Sequence, residues 1–225
     1  DYLNKDCEII IVDDCSSNEE YVKLIRKVEF YDASNIQVLR NEKNYGASFS
    51  RQKGVDKSSG DFIAFLDADD GWIKNRIFLI CDHMKNKNID ICGGYPKYSN
   101  HDFINHRNSV YSPIFSKKVF FINFLYKNYY TTPSVVMRRS IFLDESFNND
   151  MRYSEDLEFW RRAVHSRNAY LLDDSGAYCF KHPYIPSDPS SLSSRTVKMA
   201  KSEIYGLCLL LNNKKIPFYL KLLIP

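Results

Sequence analysis

The stretch Phe62-Ile63-Ala64-Phe65-Leu66-Asp67-Ala68-Asp69-Asp70 decides how the rest of this chain is read. Five apolar residues opened by Gly60-Asp61 predict a short strand buried on both faces, as in a parallel sheet. The run then stops in three carboxylates within four residues. Carboxylates crowded at a strand end repel one another unless a cation neutralises them. A hard divalent ion, Mg²⁺ or Mn²⁺, takes oxygen ligands and is readily shared with a phosphate. Ligands of open α/β sheets sit at the carboxyl ends of the strands, where Asp67, Asp69 and Asp70 fall. A solvated acidic turn is the alternative, and it leaves the buried strand leading into it without a purpose.

Working outward, Glu8-Ile9-Ile10-Ile11-Val12 is a second β-branched run that ends in acids, Asp13-Asp14. Two strands finishing in carboxylates are expected as parallel neighbours on one edge of the sheet. Ser16/Glu19 and Ser17/Glu20 both have capping-box spacing, so a helix follows, burying Val22, Ile25 and Val28. Ile36 to Leu39 is a third strand, which completes a βαβ unit. Asn44-Tyr45-Gly46-Ala47-Ser48 opens a helix through Arg51 that Gly60 stops. After Gly71-Trp72, Ile73, Ile77, Ile80, Cys81 and Met84 share one helical face. Ile89 to Tyr95 is a strand weakened by Gly93 and Gly94. Pro96 to Tyr111, with His101 and His106, reads as an irregular or hairpin insertion, and residues 113–130 as helix. Val135-Val136-Met137 is a short strand. Ser154 is an N-cap for a helix burying Leu157, Trp160, Ala163 and Val164, with Glu155 and Asp156 in its first turn. Two short strands, Ala169 to Leu172 and Ala177 to His182, follow. The fold class is therefore α/β, a mostly parallel sheet flanked by helices, with a C-terminal helical extension.

A length of 225 residues and 44% hydrophobic content suit one sizeable core. A net charge of +3 and the lack of any nucleic-acid signature argue against DNA or RNA as a partner. The six cysteines form no C-x-x-C pair, which disfavours zinc and disulfide frameworks and fits a reducing setting. No signal peptide or bilayer-spanning run is visible. The chain starts at Asp1 without Met, so its N-terminus is expected not to be the natural one. Pro183 to Ser194 holds three prolines and five serines, a loop or lid. Beyond it, apolar segments punctuated by Lys over residues 203–225 fit either an interfacial helix at a membrane or a packing helix that covers the core or a dimer contact.

With these residues in hand, the chain resembles the family 2 glycosyltransferases of the GT-A fold, of the kind that build bacterial surface polysaccharide. The resemblance rests on EIIIVDDCS (Glu8–Ser16), NYGASFSRQKGVDKSSGDFIAFLDADDGW (Asn44–Trp72) and SEDLEFWRRA (Ser154–Ala163). The second matches the pattern N-x-G…R-x-x-G…A-x-G-x-[YF]-[IL]-x-F-L-D-x-D-D-x-W, with Ser58 or Ser59 in place of the Ala. The match spans roughly residues 8–195. The family's opening V-S-V-I-I-P-x-Y-N strand has no counterpart here, which leaves a central strand unaccounted for.

The resemblance implies an inverting transfer of a sugar from a nucleotide diphosphate donor, a UDP-sugar favoured, to a glycan or lipid-linked glycan. Asp14 would bond the nucleotide base, Asp67 would lie by the ribose, and Arg51 would add positive charge near the nucleotide. Asp69 and Asp70 would hold Mn²⁺ or Mg²⁺, with His182 as a late metal or phosphate ligand. Asp156 would be the general base and Glu155 its supporting carboxylate. Residues 1–95 would then bind the donor, 96–195 the acceptor, and 196–225 would form the extension. The expected place of work is the cytoplasm, at the inner face of the membrane. A nucleotidyltransferase would want a Gly-rich basic signature near its start, and none is visible. A non-catalytic nucleotide-sugar-binding module would have no need of both intact acidic sets.

Overall fold

The computed structural model describes residues 6–31, 34–98, 100–106, 108–109, 111–113, 115–180 and 196–225. Its first unit is β1 (Ile9–Asp13), α1 (Asn18–Tyr31) and β2 (Ile36–Arg40), with β1 and β2 parallel and Ile9 opposite Ile36. The capping box predicted at Ser17 is present. The Glu20 amide donates to Ser17 Oγ at 3.3 Å, and the Ser17 amide donates to Glu20 Oε2 at 3.1 Å. The inward face of α1 is half-buried Tyr21, Leu24, Ile25 and Val28; Val22 is exposed and no residue of the helix is fully buried.

Next come α2 (Ala47–Lys57), β3 (Phe62–Ala64), β4 (Asp70–Trp72), α3 (Arg76–Lys87), β5 (Ile91–Gly94) and α4 (Asn100–His106). The chain continues through β6 (Phe115–Val119), α5 (Phe121–Tyr126), β7 (Val136–Arg138), α6 (Glu155–Val164), β8 (Ala169–Leu172) and β9 (Ala177–Cys179). It closes with α7 (Thr196–Asn212) and α8 (Phe218–Lys221). The central sheet has the order β3-β7-β5-β8-β6. β5 and β8 are parallel, and β7 is antiparallel to both β3 and β5, so β3, β5 and β8 all point the same way. Side chains alternate across this sheet. Cys92, Val136 and Leu172 meet Ile80 and Met84 of α3, while Ile91, Met137 and Ala169 join the core built on Phe124, Phe159 and Trp160 of α5 and α6.

Several local expectations change. The decisive strand is only three residues long and pairs with β7 at the sheet edge, and Leu66 beyond it is exposed. β7 takes the flank that a parallel neighbour would have filled, so the chain leaves the sheet before the carboxylates. β1 and β3 share no ladder among the described residues. α2 ends at Lys57, capped by extended Ser58, rather than running on to Gly60. Part of the Pro96–Tyr111 insertion is helical, as α4. Residues 113–130 divide into β6 and α5, because Asn123 Oδ1 accepts from the Phe120 amide at 2.8 Å and starts a helix there. The glycines of β5 do not weaken it: all four of its residues are buried at the sheet centre. The stretch Lys181–Arg195, which includes His182 and the serine-rich loop, lies outside the described residues.

Candidate active site

Three elements deliver the acidic residues to one place. Phe65 anchors the end of β3 to the core, its ring 5.5 Å from Phe147 and 6.1 Å from Trp160 of α6. Asp67 therefore emerges beside the N-terminus of α6. β4 carries Asp70 and pairs with β9, Asp70 lying opposite Cys179. α6 presents Glu155 and Asp156 in its first turn. Ser154 stands at the cap position, but in the left-handed region at φ 50°, and its side chain caps nothing. A non-glycine residue held there is strained. The helix start is satisfied instead by Asp156, whose Oδ1 accepts from the Leu157 amide at 2.7 Å.

Arg51, on α2, joins these elements. Nη1 meets Glu155 Oε1 at 2.9 Å and Nη2 meets Asp67 Oδ1 at 3.0 Å. Burial opposes its charge, but Asp67, Glu155 and Asp156 more than offset that and raise its pKa. The guanidinium expected beside the nucleotide thus spends its fork on two carboxylates from separate parts of the chain. Glu155 titrates above the ordinary range, because burial and the Asp156 charge outweigh Arg51. Asp156 Oδ2 accepts from Thr132 Oγ1 at 3.2 Å.

Asp14 also has local work. It accepts from Asn41 Nδ2 at 2.8 Å and from the amides of Tyr45 and Gly46 at 2.9 and 2.8 Å. Burial pushes its pKa up, yet these bonds and Ser50 hold it below the usual range. Gly46, at φ +93°, supplies the backbone that this turn requires. Arg152 Nη2 donates to Asn44 Oδ1 at 2.5 Å, tying the turn to the segment that leads into α6.

Burial moves the Asp70 carboxyl up to about 6, helped by Asp67 and Asp69 and opposed by the Cys179 thiol, which donates to Oδ2 at 3.4 Å. Among the described residues no group of three or more His, Cys, Asp or Glu is placed to hold a metal ion. An ion of the Mg²⁺ or Mn²⁺ type needs only one or two protein carboxylates, the number Asp69 and Asp70 would offer, with water and substrate phosphate filling its shell. Sequence reasoning did not single out Asn41, Thr132, Arg152 and Cys179. Each acts through a tertiary contact that no local spacing announces.

A family model described as Glycosyl transferase family 2 matches residues 2–145. The chain belongs to glycosyl transferase family 2. The family match takes in Asp14, Arg51 and Asp67 to Asp70, and ends before Glu155. A glucosyltransferase of Escherichia coli named UDP-Glc:alpha-D-GlcNAc-diphosphoundecaprenol beta-1,3-glucosyltransferase WfgD is 30% identical over 196 residues, covering 87% of this chain and 72% of that protein. Among solved structures, S. aureus TarS 1-349 in complex with UDP-GlcNAc superposes with a TM-score of 0.69 at 19% identity, over 96% of this chain and 60% of that one. The mannosyltransferase PcManGT from Pyrobaculum calidifontis, in complex with GDP-Man and Mn²⁺, gives 0.66 at 13% identity, over 97% and 59%. The chain thus spans about three fifths of those two solved chains. At these identities the superpositions establish the α/β GT-A fold.

Proposed function

We propose that this family 2 domain moves a sugar, with inversion at the anomeric carbon, from a nucleotide diphosphate donor to a hydroxyl of a lipid-linked glycan. The setting is the assembly of bacterial surface polysaccharide, with the domain meeting the inner membrane face through residues 203–225. The observation that carries the reading is the Arg51 bridge, which holds the Asp67 end of β3 against Glu155 beside Asp156. That bridge supports reading Asp67 as the donor-side acid and Glu155 with Asp156 as the acceptor-side pair. The WfgD name, with its UDP-glucose donor and diphosphate-linked lipid acceptor, supports a UDP-sugar and a lipid-linked acceptor.

Asp156 removes the acceptor proton as the hydroxyl attacks, on the face opposite the leaving diphosphate. The Leu157 amide and the Thr132 hydroxyl orient its two oxygens. Asp69, with Asp70, would hold the divalent ion, and when bound that ion neutralises charge on the leaving diphosphate. Arg51 fixes the carboxylates around it, and Asp14 shapes the turn that faces the base.

Calorimetric titration with UDP-, GDP- and dTDP-sugars, with and without Mn²⁺, tests this directly. One donor is expected to bind only with metal, and Asp69→Ala is expected to abolish that binding. Asp156→Asn should bind the donor normally and transfer at least about 100-fold more slowly. Failure of every donor to bind, or unchanged turnover in Asp156→Asn, overturns the reading.

A further inference from the structure

Close in the chain to Thr132, two lysines stand over tyrosine rings with no carboxylate to answer them among the described residues. Lys127 Nζ lies 5.2 Å from the Tyr95 ring centroid and 5.5 Å from that of Tyr129. Lys117 Nζ, from β6, lies 5.5 Å from the same Tyr129 ring. Tyr129 packs against Phe124 in a T-shaped pair at 5.5 Å, and the Tyr95 hydroxyl donates to the Asn128 carbonyl at 3.2 Å. The rings are therefore held, the Lys127 ammonium also bonding the Tyr95 side chain, and both lysines are exposed to water. Lys97 and Lys23 each hold a carboxylate, at 2.8 and 2.6 Å, whereas Lys117 and Lys127 hold none among the described residues. Two uncompensated cations over ordered rings make a receptor for an anion that carries an apolar or sugar face.

Its position relates it to Asp156. Tyr95 directly follows Gly94, whose carbonyl accepts from both the amide and the hydroxyl of Thr131, at 3.2 and 3.1 Å. The next residue, Thr132, touches Asp156, and the Pro133 carbonyl accepts from Trp72 Nε1 at 2.7 Å. The backbone from Tyr129 to Thr132 is three residues, so their Cα atoms lie within about 10 Å.

Resting on the transferase reading above, we infer that Tyr95, Lys117, Lys127 and Tyr129 form the acceptor subsite, and that it selects a sugar carried on a phosphate or diphosphate. The sugar lies along the exposed edges of the tyrosine rings with its hydroxyl toward Asp156, and the phosphate oxygens meet the two ammonium groups. A neutral glycoside of the same sugar forgoes the ionic half of this recognition.

The test titrates the whole chain, its donor site filled with UDP and Mn²⁺, with an octyl N-acetylglucosaminyl diphosphate and with the neutral octyl N-acetylglucosaminide. The diphosphate is expected to bind about tenfold tighter or more. Lys117→Gln/Lys127→Gln should erase that preference while leaving UDP affinity and the circular dichroism spectrum unchanged. No preference in the native chain, or a preference that survives in the double variant, overturns the inference. Sedimentation with phosphatidylglycerol vesicles separates the other source of phosphate. If the double variant loses vesicle binding but keeps the diphosphate preference, the lysines serve the bilayer and the inference fails. Metal-dependent UDP binding, and its loss in Asp69→Ala, reports on the donor site independently, so failure of the wider reading is recognised separately.

Discussion

Arg51 carries two ion pairs of unequal worth. Its side chain is 15% exposed and that of Glu155 13%, whereas Asp67 is 42% exposed. A screened pair contributes little, while removing one member of a buried pair leaves an uncompensated charge. Arg51→Met is therefore expected to cost about 2–3 kcal/mol in urea unfolding. In double-mutant cycles the coupling to Glu155→Gln should be about 1–2 kcal/mol and exceed that to Asp67→Asn, near 0.5 kcal/mol. Equal couplings, or a larger one to Asp67, would show that the bridge is mere surface pairing. Arg51→Lys should not restore the native value, because a single ammonium cannot span both carboxylates as the planar fork does.

At the level of elements, β5 shows how packing reverses what propensity suggests. A Cβ on Gly94 would lie 2.5 Å from the Leu172 carbonyl oxygen, and one on Gly93 2.8 Å from the Tyr130 ring. The first obstacle is backbone in the paired strand β8, which cannot step aside. Gly94→Ala should thus cost about 3 kcal/mol and lower the thermal midpoint by several degrees, while its helix-facing neighbour Cys92→Ala costs less. The elements legible in the sequence were those with a local cause: the Ser17–Glu20 box, the Ile80/Met84 face of α3, the amphipathic α6 and the β-branched β1. What stayed hidden was set by partners far along the chain. β7 interleaves between β3 and β5, β4 pairs with β9 across more than 100 residues, and the Asn123 side chain divides β6 from α5. The candidate site was legible to the same degree. The carboxylates cluster in two short stretches of sequence, but the contacts of Arg51 with Asp67 and Glu155, of Thr132 with Asp156 and of Cys179 with Asp70 are made by the fold alone.

For the whole molecule, the C-terminal extension presents two different faces. On one side α7 is part of the fold: Gly206 and Leu210 are buried, Gly206 stands against Glu158, and Ser202 Oγ donates to the Tyr153 carbonyl at 2.6 Å, one residue before Ser154. On the other side Val197, Ile204, Cys208 and Leu211, at helical spacing, face outward with Lys201 among them. Phe218, Tyr219 and Leu222 of the closing segment are exposed as well, and no helix among the described residues is long and apolar enough to cross a membrane. Residues 196–225 contain five lysines and one acid, Glu203. An apolar stripe edged by lysine and aromatic residues suits the interface of an anionic bilayer, each lysine near the surface contributing about 1 kcal/mol. Deleting the tail would also strip Leu210 and Ile216 from the core, so point changes isolate the surface. Ile204→Asp/Leu222→Asp, at positions 63% and 70% exposed, should leave the thermal midpoint unchanged and reduce sedimentation with phosphatidylglycerol vesicles at least tenfold. Phosphatidylcholine vesicles should bind the native chain weakly throughout. If the double variant instead converts a dimer to a monomer in analytical ultracentrifugation and vesicle binding is unaffected, the stripe is a contact between copies of the chain and the membrane reading falls.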